Sequence, residues 1–257
     1  MKKSSRQLIL IIVEGKSEID ALEYPLNSLY ENYGYDVEIR FPVLDSDKDL
    51  SLRGGDITSD RNVSPKNIEK RICSDIIDPF LLNMVPYGGK TFLSIDEVIQ
   101  IVDLDGTFID PCYVHEDCSL EKTMYYADGI YARNSELICK RNAQKRENLD
   151  YLMSLDTLSV HGKRVPYSVY FFSSNLDHFF SDNANLEYHK KREKPFEFGN
   201  YYSDPELFVP YFQQESISLH GMSYPDSWSW AKQGLNSLSK RTNLNVLIDR
   251  IISNAQK

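Results

Sequence analysis

Ile101-Val102-Asp103-Leu104-Asp105-Gly106 is an aliphatic run that closes in Asp-x-Asp-Gly, and its reading decides the fold. Such a run reads as a buried strand that stops at a turn. The two-residue period of a strand puts the Asp103 and Asp105 side chains on one face and turns Leu104 to the other. Two carboxylates this close repel, by ~4 kcal/mol at ~4 Å in an effective dielectric of ~20. Either one carries a proton or a cation lies between them. A hard divalent ion that prefers oxygen ligands suits the pair.

Working outward, Leu8 to Val13 is a second aliphatic run, closed by Glu14-Gly15. Its lack of alternation fits a strand covered on both faces, as in a parallel sheet flanked by helices. Ile19, Leu22, Leu26 and Leu29 then recur at helical spacing, with Pro25 expected to kink or interrupt the helix. Val37 to Val43 alternates as the next strand, so the chain opens as an α/β unit. Residues 44–65 are polar and read as a long loop, 66–84 as a helix, and Thr91 to Leu93 as a short strand. Residues 107–131 read as irregular and 132–155 as a helix with a basic surface. Val165 to Phe172 reads as a further strand and Asn243 to Ile252 as a final helix.

The 257 residues suffice for one large domain or a domain with an appendage. At 26% charged and 41% apolar the composition is that of a globular protein. A net charge of −9 and a pI near 5.1 argue against bulk nucleic-acid coating, though a basic groove on an acidic body stays open. Four cysteines suggest a reducing compartment. No run approaches the ~20 apolar residues that cross a bilayer. No membrane association and a cytoplasmic location are therefore expected.

The strongest constellation joins Val13-Glu14-Gly15-Lys16-Ser17-Glu18 with Asp103-Leu104-Asp105-Gly106. Each lies at the carboxyl end of an expected strand, where α/β sheets place their ligands. Here the chain, over roughly residues 7–110, resembles the Toprim domain of topoisomerases, primases and several nucleases. That family pairs a Glu-Gly after its first strand with a later Asp-x-Asp-Gly. The resemblance implies a Rossmann-like core, taken as 1–180, with a mostly parallel sheet flanked by helices; residues 181–257 lose the α/β rhythm and read as a helical C-terminal region packed on it. The resemblance makes Glu14 the family's acid and Asp103 and Asp105 its metal-binding pair. Glu18 matches the second acid of the OLD-type nuclease branch. It implies a Mg²⁺- or Mn²⁺-dependent endonuclease acting on DNA or RNA, tRNA included, with Glu14, Glu18, Asp103 and Asp105 holding one or two ions. By analogy with small stand-alone members, it also implies a phage-defence (abortive-infection) effector working beside a separate OLD- or ABC-type ATPase.

Other signals are weaker. Asp177, in Ser173-Ser174-Asn175-Leu176-Asp177-His178, reads either as a further ligand or as a complement to a helix dipole. Lys90 follows Gly88-Gly89 and is either a phosphate contact or a solvated turn residue. Positive charge concentrates at Lys140, Arg141, Lys145 and Arg146, and again at Lys190, Lys191 and Arg192. Both stretches are candidate tracks for a phosphate backbone. Cys112, His115 and Cys118 lack standard zinc spacing. Asp103-Leu104-Asp105-Gly106-Thr107 also resembles the first motif of haloacid-dehalogenase-type phosphatases, with Asp103 as nucleophile and Asp105 as general acid. That motif usually opens its fold, and here it would leave Glu14 and Glu18 without a role. A Toprim-like module that binds without cutting is the remaining alternative.

Overall fold

The computed structural model describes residues 7–41, 56–84, 95–186 and 193–256. Lys90, Lys190, Lys191, Arg192 and the expected strand at 91–93 lie outside them.

The main sheet has the order β2-β1-β3-β8-β7. Strands β1 (Gln7–Ile12), β2 (Val37–Arg40), β3 (Ile95–Asp103) and β8 (Lys163–Phe172) run parallel. β7 (Thr157–Val160) is antiparallel to β8. The hairpin joining these two turns at His161-Gly162, both at positive φ. The fold is therefore mixed α/β, with a parallel-rich sheet flanked by helices.

Alternation along the apolar strands explains why both faces are covered. Ile9, Ile11, Ile99, Ile101 and Phe172 belong to one buried cluster, while Leu8, Leu10, Ile12, Val98 and Val102 belong to another on the opposite face. On the first face lies α1 (Lys16–Asn32), whose Ile19, Leu22, Leu26 and Leu29 are buried. Each such side chain contributes about 1.5–3 kcal/mol. Pro25 sits inside α1 and does not interrupt it; the helix runs on to Asn32.

The second face is covered by a continuous helical run and by α4 (Ser135–Met153). The run comprises α2 (Ile68–Ile72), a π-helical turn over Cys73–Ile77, and α3 (Asp78–Met84). Trp228, on α8 (Tyr224–Ala231), joins this cluster.

The stretch 107–131, expected to be irregular, contains ordered strands. β4 (Val114–Glu116) pairs parallel with β6 (Gly129–Ala132), which pairs antiparallel with β5 (Met124–Tyr126). The strands are three to four residues long and lack a long apolar run, so their periodicity is too short to stand out.

After α5 (Leu176–Ser181), the remaining helices pack on α1 and the sheet. They are α6 (Glu193–Tyr201), α7 (Pro205–Phe212) and α9 (Leu244–Ala255). Phe198, Phe212 and Leu247 share a core with Ile11 and Leu22. Among the described residues no helix is long and apolar enough to cross a membrane.

Where α6 crosses α1, Gly199 lies so close that an added Cβ would stand 2.1 Å from the Asp20 carbonyl oxygen. That neighbour is backbone and cannot swing aside. Gly199→Ala is expected to destabilise the protein by about 1–3 kcal/mol through overpacking. A lowered urea midpoint with an unchanged slope is the expected observation.

Candidate active site

The site is built where β1 and β3, adjacent in the sheet, end side by side. Glu14 follows β1, and its Oε1 accepts a hydrogen bond from the Asp103 backbone N–H at 3.0 Å. The two segments that the sequence singled out are therefore joined directly. Glu18 is buried on the first turn of α1. Its Oε2 folds back over Gly15, where an added Cβ would meet it at 3.3 Å.

Asp103 is the last residue of β3, and its carboxylate accepts from the Leu176 N–H at 3.1 and 3.2 Å. Beyond it the chain keeps company with the end of β8, Leu104 N–H donating to the Phe172 carbonyl and Asp105 N–H to that of Ser174. Asp105 and Gly106 then both take positive φ, 49° and 70°. At Gly106 a side chain would also collide with Ile130 and Leu238, at 2.7 and 2.8 Å. Glycine is required there for conformation and for space.

Helix α4 holds this turn. Lys145 Nζ bonds the Asp103 carbonyl, Arg141 Nη2 that of Asp105, Asn142 Nδ2 that of Gly106, and Arg146 Nη2 those of Thr107 and Ile109. Spacings of one, three and four residues put all four donors on one side of the helix. The expectation of a basic surface is corrected here. Lys145 is 1% exposed and buried among acids, and Arg141 and Arg146 are half-buried and spent on main-chain carbonyls. Lys140 is exposed, paired with Glu136 at 2.6 Å.

Lys145 Nζ lies 2.5 Å from Asp56, 3.5 Å from Glu14 and 3.9 Å from Asp105. Burial alone would discharge the amine; Asp56, Glu14 and Asp105 outweigh it and keep it an ammonium. Asp56 was not singled out from the sequence. It sits after Gly54-Gly55 in a polar stretch read as a loop, with no periodic or motif signal. Its carboxylate accepts from the Thr58 N–H at 2.8 Å. Burial opposes its ionisation, but Lys145 and the bonds from Thr58 hold its pKa below the usual value.

Glu14 and Asp103 are pushed the other way. Burial raises both, reinforced for Glu14 by Asp56 and for Asp103 by Glu14, Glu18 and Asp105. Lys145, with the Arg141 guanidinium acting on Asp105 and Asp56 from farther off, does not balance so many carboxylates. The surplus opens on a cavity of about 320 Å³ whose floor includes Glu18, Asp103, Asp105 and Asp177. The helix-capping residue beside Asp177 is Asn175, whose Oδ1 accepts from the His178 N–H at 2.9 Å.

The all-oxygen donors and the unbalanced charge suit a hard divalent cation. Among the described residues no three His, Cys, Asp or Glu side chains already converge as a ligand set.

Lys145→Met removes the ammonium and strands buried carboxylates, a change expected to destabilise by about 3–5 kcal/mol near neutral pH. Glu14 and Asp103 have folded pKa values above their unfolded ones. The folded chain therefore binds more protons between those values, and stability falls as pH rises through that interval. Losing Lys145 widens the interval, so the deficit is expected to be larger at pH 8 than at pH 5, as read by urea denaturation without divalent ions. Comparison with protein-family models, with well-characterised proteins and with solved structures finds no match for this chain.

Proposed function

We propose that the chain is a metal-dependent nuclease with a Toprim-like catalytic core. The observation that carries this reading is the meeting of Glu14 with Asp103 at adjacent strand ends, beside a cavity lined by the carboxylates of Glu18, Asp103, Asp105 and Asp177. The adjacency of β1 and β3 is what the resemblance requires of its two motifs. In the proposal Glu18, Asp103, Asp105 and Asp177 are the residues that would hold Mg²⁺ or Mn²⁺. When bound, such an ion supplies Lewis-acid charge at a scissile phosphate and acidifies an attacking water.

The chain's own residues have separate duties. Lys145 keeps Asp56 ionised and lends positive charge to Glu14, which ties β1 to β3 through the Asp103 N–H. The Leu176 N–H fixes the Asp103 carboxylate, so its oxygens are presented toward the cavity without free rotation. Phosphate-backbone contact falls to exposed lysines such as Lys140 and Lys122 rather than to Arg141, Lys145 or Arg146. An effector role in phage defence beside a separate ATPase is carried by the family resemblance alone.

The haloacid-dehalogenase alternative makes Asp103 a nucleophile, and it assigns nothing to Glu14, whose carboxylate is bound to the Asp103 N–H. The two readings part experimentally. Glu14→Gln and Asp103→Asn are each expected to reduce Mg²⁺- or Mn²⁺-dependent cleavage of plasmid DNA, tRNA or rRNA at least 100-fold while the protein stays folded. Cleavage that survives both substitutions sinks the nuclease proposal. Hydrolysis of a generic phosphomonoester that survives Glu14→Gln and is lost in Asp103→Asn points to the phosphatase.

A further inference from the structure

Besides the acids, the cavity is lined by two segments distant in sequence, which form its wall. One is the small sheet, which contributes Lys122, Thr123 and Tyr125; the other follows α5 and contributes Ala184, Asn185 and Leu186. They are clasped together. The Asn185 side chain accepts from the Tyr125 N–H at 2.8 Å and donates to the Tyr125 carbonyl at 2.8 Å, mimicking a strand pairing. Lys122 Nζ donates to the Asn185 carbonyl at 3.3 Å. Asn175, at the start of α5, donates to the Ala184 carbonyl at 3.1 Å. The wall is thus anchored to the helix whose first N–H group holds Asp103.

Tyr125 is fixed at both ends. Asn185 holds its backbone, and Arg141 Nη1 donates to its hydroxyl at 2.8 Å while the guanidinium lies 5.9 Å from the ring centroid. An immobile aromatic side chain lining a polar cavity is a surface against which a nucleobase can stack, whichever base it is. Lys122 adds an exposed positive charge to the lining of the same cavity. A volume of about 320 Å³ is at the low end of the ~300–1,000 Å³ range of small-ligand sites. It has room for one nucleotide and not for the width of a base-paired helix.

Resting on the nuclease reading above, we propose that this walled cavity selects unpaired nucleic acid, admitting one nucleotide of a single strand or frayed end to the space lined by Tyr125, Lys122 and the Asp103 carboxylate. Intact duplex is kept from the floor by the clasp. Shape and stacking, rather than base-edge hydrogen bonding, set this preference, so it is tolerant of sequence.

The test uses the full chain and three labelled probes of one sequence: a single-stranded oligonucleotide, its blunt duplex, and the duplex with a single-stranded overhang. Binding is read by fluorescence anisotropy in Ca²⁺ and cleavage in Mn²⁺. Single strand and overhang are expected to bind at least 10-fold tighter than blunt duplex, with cuts confined to unpaired residues. Asn185→Ala, which opens the clasp, is expected to reduce that preference at least threefold. Lys122→Ala, at an exposed position where folding is not at risk, is expected to weaken single-strand binding severalfold.

Equal binding of single strand and duplex, or binding of neither, overturns the inference, as does a preference unmoved by both substitutions. A single-strand preference in binding with no cleavage supports the cavity's selectivity and overturns the nuclease reading instead.

Discussion

One face of α4 gripping the carbonyls of residues 103–109 is the constraint on which the site depends. A turn that leaves a buried strand through two successive positive-φ residues exposes carbonyl groups no ladder can satisfy. Arg141, Asn142, Lys145 and Arg146 supply the missing donors, and three of the four carry positive charge into a region crowded with carboxylates. Main-chain satisfaction and part of the charge neutralisation come from the same side chains. That double service explains why a helix with so basic a sequence is not a basic surface.

β1 and β3 were legible because they are apolar and closed by acid-glycine turns, whereas the four-residue β7 was not. Leu8–Ile12 and Val98–Asp103 announce strands covered on both faces, and the two buried clusters divide their side chains by parity. Glu14, Glu18 and the two aspartates were legible as a group because strand ends in α/β sheets collect ligands. Asp56 and the interior position of Lys145 were not. A charged side chain on a helix with few apolar residues gives no hint of which face is buried. The carbonyls that select that face are supplied by a segment some forty positions away. The small sheet was missed for a related reason: three short strands carry too few side chains to establish a period.

The electrostatics explain why the acids are not uniform. Asp56 is close to Lys145 and held below the ordinary carboxylate range, whereas Glu14 and Asp103 are driven up by burial and by one another. Two populations of carboxylate thus share one pocket. Asp56 is satisfied by the protein's own cation; of the raised pair, Glu14 lies 3.5 Å from that cation while Asp103 lines the cavity. Such a division separates residues that hold the architecture from those available to a ligand, although all are acids of the same two types.

The buried ammonium also bears on the order in which the molecule matures. A cluster of carboxylates with no internal counter-charge could close only around a captured ion, so folding would have to wait for metal. Here Lys145 arrives with the chain itself, on a helix already packed against the sheet through Leu149 and Leu152. On the proposed reading, the scaffold would then need no divalent ion to close, and loading would be a separate event. A nuclease of the proposed kind would then be stockpiled in finished form, with the supply of the ion rather than synthesis setting when it begins to act.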